Sequence, residues 1–87
     1  MESDINSIKR VIKGVISDEL KLDTQTLTDS TNLRAIPSIE SIKILRIIVR
    51  VEEHYDIELE DQVVFNVETI DDIAGAVHKL LVKVDGD

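Results

Sequence analysis

The sequence predicts an all-α fold: a small four-helix bundle of three main helices and one short helix, with a long loop between helices one and two. Three observations predict it. Aliphatic residues recur at spacings of three and four in three separate stretches, 5–20, 42–55 and 70–81. Only three glycines and one proline interrupt the 87 residues, so long helices are permitted. Between the first two periodic stretches, residues 21–40 lose the period and fill with Thr, Asp, Ser and Asn, which form turns and caps.

A chain of this length makes one domain, here spanning 1–87 with an ordered core of about 4–82. The core is aliphatic, because Tyr55 and Phe65 are the only aromatic residues. So few rings argue against stacking on bases or sugars. The absence of cysteine removes disulfides and thiolate metal sites and suits a reducing cytoplasm. Met1-Glu2-Ser3-Asp4 lacks the basic-then-apolar order of a signal peptide. No apolar run reaches the length of a membrane span. The formal net charge of −8 repels nucleic acid and anionic lipid and favours partners with basic patches.

The first helix is expected from Asp4 to about Leu20. Ile5, Ile8, Ile12, Val15, Ile16 and Leu20 share one face, and Ser3 or Asp4 caps the start. Gly14 weakens this helix unless another backbone must come close to it. The loop 21–40 is long for a compact domain, so Leu22, Leu27, Leu33 and Ile36 are expected to pin it to the core. Pro37 pushes Ile36 away from helical geometry, so the next helix begins beyond it.

The second helix is expected from Ser41 to about Tyr55. Ile42, Leu45, Ile48 (or Val49) and Glu52 follow one stripe, and Ile44, Ile47, Val51 and Tyr55 another. Together they predict a broad apolar face on a central helix. The β-branched content leaves a strand as the alternative over 41–51. The regular charges Lys43, Arg46 and Arg50 favour the helix. Glu60 to Asn66 is read as the short helix, burying Val63 or Val64 together with Phe65. Thr69, with Asp72 three residues on, resembles a capping box for the last helix, whose face is Ile70, Ile73, Val77, Leu80 and Leu81. Lys79 and Lys83 suit its C-terminal end, and Asp85 to Asp87 should fray.

Ser41 stands where the second helix begins. A serine there can be an N-cap, or it can carry a phosphate that the free N–H groups of the helix end would stabilise. Local chemistry alone favours the cap. Elsewhere catalytic chemistry is thin. His54 and His78 lie on separate helices without ligand-spaced partners, so no metal site is expected. The adjacent acids Glu52-Glu53, Glu60-Asp61 and Asp71-Asp72 do not face each other on a helix. The acids of 56–61 lack the central Gly of an EF-hand, and no Gly-rich phosphate loop is present. The domain is therefore not expected to be an enzyme.

Glu40-Ser41-Ile42 stands where acyl and peptidyl carrier proteins place Asp-Ser-Leu, at the start of their second helix. Leu33-Arg34-Ala35-Ile36 followed by Ser38-Ile39-Glu40-Ser41 is similar to the loop leading into that motif. Glu52-Glu53-His54-Tyr55-Asp56-Ile57-Glu58-Leu59 is similar to the segment closing that helix, and Val67-Glu68-Thr69-Ile70 to the entry of the last helix. The chain thus resembles the acyl or peptidyl carrier protein family over nearly its whole length, through the joint order and spacing of weak motifs.

The resemblance implies a 4′-phosphopantetheine arm, derived from coenzyme A, on Ser41. Such carriers place the helix-end aromatic fourteen residues after the modified serine; Tyr55 meets that from Ser41 and not from Ser38, which is the fallback. It also implies a monomeric stand-alone carrier of acyl or aminoacyl thioesters. Its partners would be a phosphopantetheinyl transferase and acyl- or aminoacyl-loading and condensing enzymes. Glu40, Ile42, Lys43, Arg46, Val49 and Arg50 would form the docking surface.

One departure bears on the pathway. Fatty-acid carriers are strongly acidic just after the serine, whereas here Lys43 and Arg46 follow, and 41–55 carries a net +1 within a chain of −8. Basic partner patches would meet a like charge. Dedicated polyketide or nonribosomal peptide enzymes are therefore expected ahead of housekeeping fatty-acid enzymes. A fatty-acid carrier and an unmodified helical interaction module are the alternatives.

Overall fold

The computed structural model describes residues 4–36 and 40–86. Four helices follow in order: α1 Ile5–Leu20, α2 Ser41–Tyr55, α3 Asp61–Asn66 and α4 Ile70–Gly86. The all-α expectation holds, and α2 has the expected bounds. The strand alternative over 41–51 is not what forms. Ser3, Pro37 and Ser38, each given a role above, lie outside the described residues.

α1 packs against both α2 and α4. Ile8, Ile12 and Ile16 of α1 are fully buried against Ile47, Ile48 and Val51 of α2 and Ile70, Ile73 and Val77 of α4, all in one core cluster. Each such side chain contributes about 1.5–3 kcal/mol by leaving water. No polar or charged residue is buried among the described ones. Asp4 stands at the N-cap of α1 without a side-chain cap bond, so the expected cap is positional only. Gly14 is exposed, and a Cβ built there meets nothing within 4 Å, so no close backbone approach requires it.

The loop between α1 and α2 is not structureless. Asp23 and Asn32 each cap a single 3₁₀ turn, Thr24–Thr26 and Leu33–Ala35. Leu27 and Leu33 are buried, while Leu22 and Ile36 pack half-buried against the core, so all four anchors act as expected. Charge then fastens the loop to α1 and α4. Lys9 of α1 lies 3.1 Å from Asp29 and 3.0 Å from Asp71, and Lys13 lies 3.0 Å from Asp29. The Asp71 N–H donates to the Asp29 carbonyl at 2.9 Å, and the Leu33 N–H to that of Glu68 at 2.7 Å.

Thr69 and Asp72 form the capping box. The Asp72 carboxylate accepts from the N–H groups of Glu68 and Thr69, and Thr69 Oγ1 accepts from the Asp72 N–H. α4 is helical through Gly86. Nothing before Gly86 breaks the helix, since Val82, Lys83, Val84 and Asp85 all admit it.

Two burial expectations fail. Phe65 is 77% exposed, and no residue of α3 is fully buried. A six-residue helix presents little surface, and α3 spends its own on Val63 and Val64, both half-buried. The flanking Leu59 and Val67 hold it to the core instead. The broad apolar face of α2 is also narrower than expected. Ile44, Ile47, Ile48 and Val51 are buried, whereas Ile42, Leu45 and Val49 stand 53%, 44% and 47% exposed. α1 lies on one side of α2, and only the stripe turned that way is covered.

Candidate functional site

The site is built on the N-terminal end of α2. Glu40 occupies the N-cap, with extended backbone at φ −110° and ψ 148°. Its carbonyl accepts from the N–H groups of Lys43 at 2.9 Å and Ile44 at 3.3 Å. Ser41 is therefore the first helical residue and not the cap, which corrects the local reading of it. The serine lies one position too late, because Glu40 already supplies the extended residue and the first acceptor. The N–H groups of Ser41 and Ile42 precede the first bond within the helix.

The Glu40 carboxylate makes no capping bond, and no acid stands in the first turn of α2. Lys43 follows in that turn, half-buried, and Arg46 a turn further on, exposed. The helix dipole and the two cations favour an anion here and oppose the exposed Glu40 carboxylate one residue before Ser41.

The remaining expected docking residues divide by face. Ile42, Arg46 and Val49 look outward together with Leu45, which the sequence had assigned to the buried face. Arg50 turns to α1, its guanidinium 2.8 Å from Asp18 and 3.0 Å from Glu19. Those two acids hold the Arg50 pKa above its ordinary value, Asp18 more than Glu19. Its charge already has partners inside the domain.

A recess of about 640 Å³ lies between α2 and α3, lined by Leu45, Ile48, Val49, Leu59 and Val64. A smaller one of about 180 Å³ lies nearer Ser41, bounded by Arg34, Ile44, Leu45, Val64 and Phe65. Arg34 closes the second from the loop side. Its Nε donates to the Val67 carbonyl and its Nη2 to that of Phe65, both at 3.2 Å. At the other end of α2, the Glu52 carboxylate accepts from the Leu59 N–H at 2.6 Å and fastens the start of the α3 segment.

Over residues 10–77 the chain matches the family model described as a phosphopantetheine attachment site. The chain belongs to this family of carrier proteins. It is 29% identical over 68 residues to an acyl carrier protein of Aster yellows witches'-broom phytoplasma (strain AYWB), covering 78% of this chain and 90% of that one. The same identity and coverage hold for an acyl carrier protein of Onion yellows phytoplasma (strain OY-M). For one of Phytoplasma australiense the identity is 26% over 70 residues, covering 80% of this chain and 92% of that protein.

Members of the carrier family hold phosphopantetheine covalently and present what it carries to partner enzymes, without a catalytic centre of their own. The end of α2 fits such a group: its first-turn N–H groups, the lack of an acid in that turn and Lys43 within it suit a phosphodiester. His54 is exposed, its ring edge-on to Tyr55 at 4.7 Å between centroids. Among the described residues no helix is long and apolar enough to cross a membrane.

Sequence reasoning did not place Arg34 and Phe65 together at the smaller recess. Phe65 carries a faint signal, as one of two aromatics in a short segment with Val63 and Val64 already available for burial. Arg34 carries none, since its partners lie 31 and 33 residues away.

Proposed function

We propose that Ser41 bears the phosphopantetheine arm and that the protein is a cytoplasmic carrier of acyl or aminoacyl thioesters. Its partners are a phosphopantetheinyl transferase and the loading and condensing enzymes of a dedicated pathway, of the polyketide or nonribosomal peptide kind. The observation that carries the reading is the place of Ser41 as the first residue of α2, with Tyr55 as the last. When bound, the arm supplies a terminal thiol on which cargo is held. The chain's own part is to offer the Ser41 hydroxyl for esterification and to stabilise the phosphodiester with first-turn N–H groups and the Lys43 charge. It then docks partners beside the arm. Glu40, Ile42 and Lys43 flank the serine, Arg46 and Val49 follow on the exposed side of α2, and Arg50 contributes at the rim.

The pathway assignment rests on charge sign. Lys43 and Arg46 would repel the basic patches that suit an acidic carrier helix. The lack of cysteine agrees with a reducing compartment.

Incubation of the apo-protein with a broad-specificity phosphopantetheinyl transferase and coenzyme A, followed by intact mass, tests the attachment. One phosphopantetheinyl group is expected on wild type and on Ser38→Ala, and none on Ser41→Ala. A gain that survives Ser41→Ala sinks the assignment. For the pathway, exchanging Lys43 and Arg46 for Glu must change partner affinity at low salt; no change there sinks the dedicated-partner reading.

A further inference from the structure

We infer that Phe65 is the anchor of the docking face, and that this face accepts a partner enzyme with an apolar socket rimmed by carboxylates where it approaches Ser41. The inference rests on the carrier reading above.

Five large apolar side chains stand exposed among the described residues, and four of them, Ile42, Leu45, Val49 and Phe65, belong to this side of α2 and α3. They form one strip. Leu45 and Val49 share the larger recess, and Leu45 and Phe65 the smaller. Scattered exposed hydrophobics are ordinary, but a contiguous strip marks an interaction site.

Phe65 dominates the strip. Its ring is the most exposed of the four, yet its backbone is held firmly, because Arg34 donates to its carbonyl and to that of Val67. An aromatic on a fixed backbone and mostly exposed is a preformed anchor, since a few large side chains that become buried dominate the energy of an interface.

Charge decides the occupant. Arg34 borders the smaller recess, and Lys43 and Arg46 follow Ser41 on α2, outnumbering Glu40 at the N-cap; the larger recess is bordered by Glu52, Glu58, Glu60 and Asp61. In a chain of −8 this leaves the Ser41 end net positive and the far end acidic. A partner that meets the strip with carboxylates at the Ser41 end is steered into one orientation, with the arm at its entrance. The reverse orientation sets like charges together at both ends.

The test uses holo-protein loaded to completion and checked by mass for wild type, Phe65→Ala, Phe65→Leu and Arg46→Glu. Each is offered to purified acyl-loading enzymes of two kinds, one with a carboxylate-rimmed carrier entrance and one with a lysine- and arginine-rimmed entrance. The carboxylate-rimmed enzyme is expected to load wild type with the higher kcat/KM. Phe65→Ala should raise its KM about tenfold or more with kcat retained, and Phe65→Leu should fall between. Arg46→Glu should lower kcat/KM at low salt and lose that effect at high salt.

A preference for the basic entrance, or a wild-type KM for Phe65→Ala, overturns the inference. So does a concentration-dependent wild-type dimer that Phe65→Ala abolishes, since the strip would then be a self-interface. Failure to reach the holo mass at all instead defeats the carrier reading. Phe65 lies outside the core, so circular dichroism should show all four proteins equally folded.

Discussion

Removing the Arg34 guanidinium should loosen α3 and leave the rest of the domain intact. α3 has six residues, none fully buried, and no side-chain N-cap. Its C-terminal carbonyls depend on the two 3.2 Å bonds from Arg34. A hydrogen bond from a charged donor is worth about 1.5–3 kcal/mol. Both lie near solvent, which competes for the same groups, so Arg34→Ala should cost about 1–2 kcal/mol in total. That is a rise of about 5- to 30-fold in the population of opened α3. Amide hydrogen exchange reads it directly. The Val64 and Val67 N–H groups, which donate to the Glu60 and Val63 carbonyls, should lose protection by that factor. Those of Ile12 and Ile47 in the core should not. Arg34→Lys keeps the charge but not the fork, so it should restore only part. Unchanged exchange at Val64 and Val67 in Arg34→Ala would refute the reasoning.

Two further predictions concern stability. The ammonium groups of Lys13 and then Lys9 hold the Asp29 carboxyl below its ordinary 3.8, and the N–H of Glu68, with smaller help from Thr69, does the same for Asp72. The unfolded chain then binds more protons in acid, so this stability is complete well above 3.8 and is lost as pH falls through that value and below. Melting temperature should drop across that window, and a double Asp29→Asn, Asp72→Asn variant should show a shallower fall. Gly14→Ala should raise stability by up to about 1 kcal/mol in urea titration, because α1 is exposed there and a Cβ meets nothing within 4 Å.

What the sequence disclosed follows from how local each device is. The helix periods, the start of α2 beyond Pro37 and the Thr69–Asp72 box each depend on residues within a few positions of one another, and all were legible. Which stripe of α2 is buried was not. Ile42, Leu45 and Val49 are as apolar as Ile44, Ile47 and Val51, and only the position of α1 separates them. Phe65 was misread for a related reason: apolar character was taken for burial, but α3 is too short to bury both faces. Arg34 reaches carbonyls more than thirty residues away, a relation no local pattern encodes. Ser41 was placed by its spacing to Tyr55, while its exact step in the helix needed the backbone of Glu40.

The central claim is that the arm sits on Ser41, and fragmentation of the loaded protein tests it most directly. Cleavage after Arg34 and Lys43 yields a peptide, 35–43, that contains both Ser38 and Ser41. Fragment ions that break between these serines should carry the phosphopantetheinyl mass on the Ser41 side only. The mass on the Ser38 side, or an unmodified 35–43 peptide from a loaded protein, would contradict the account.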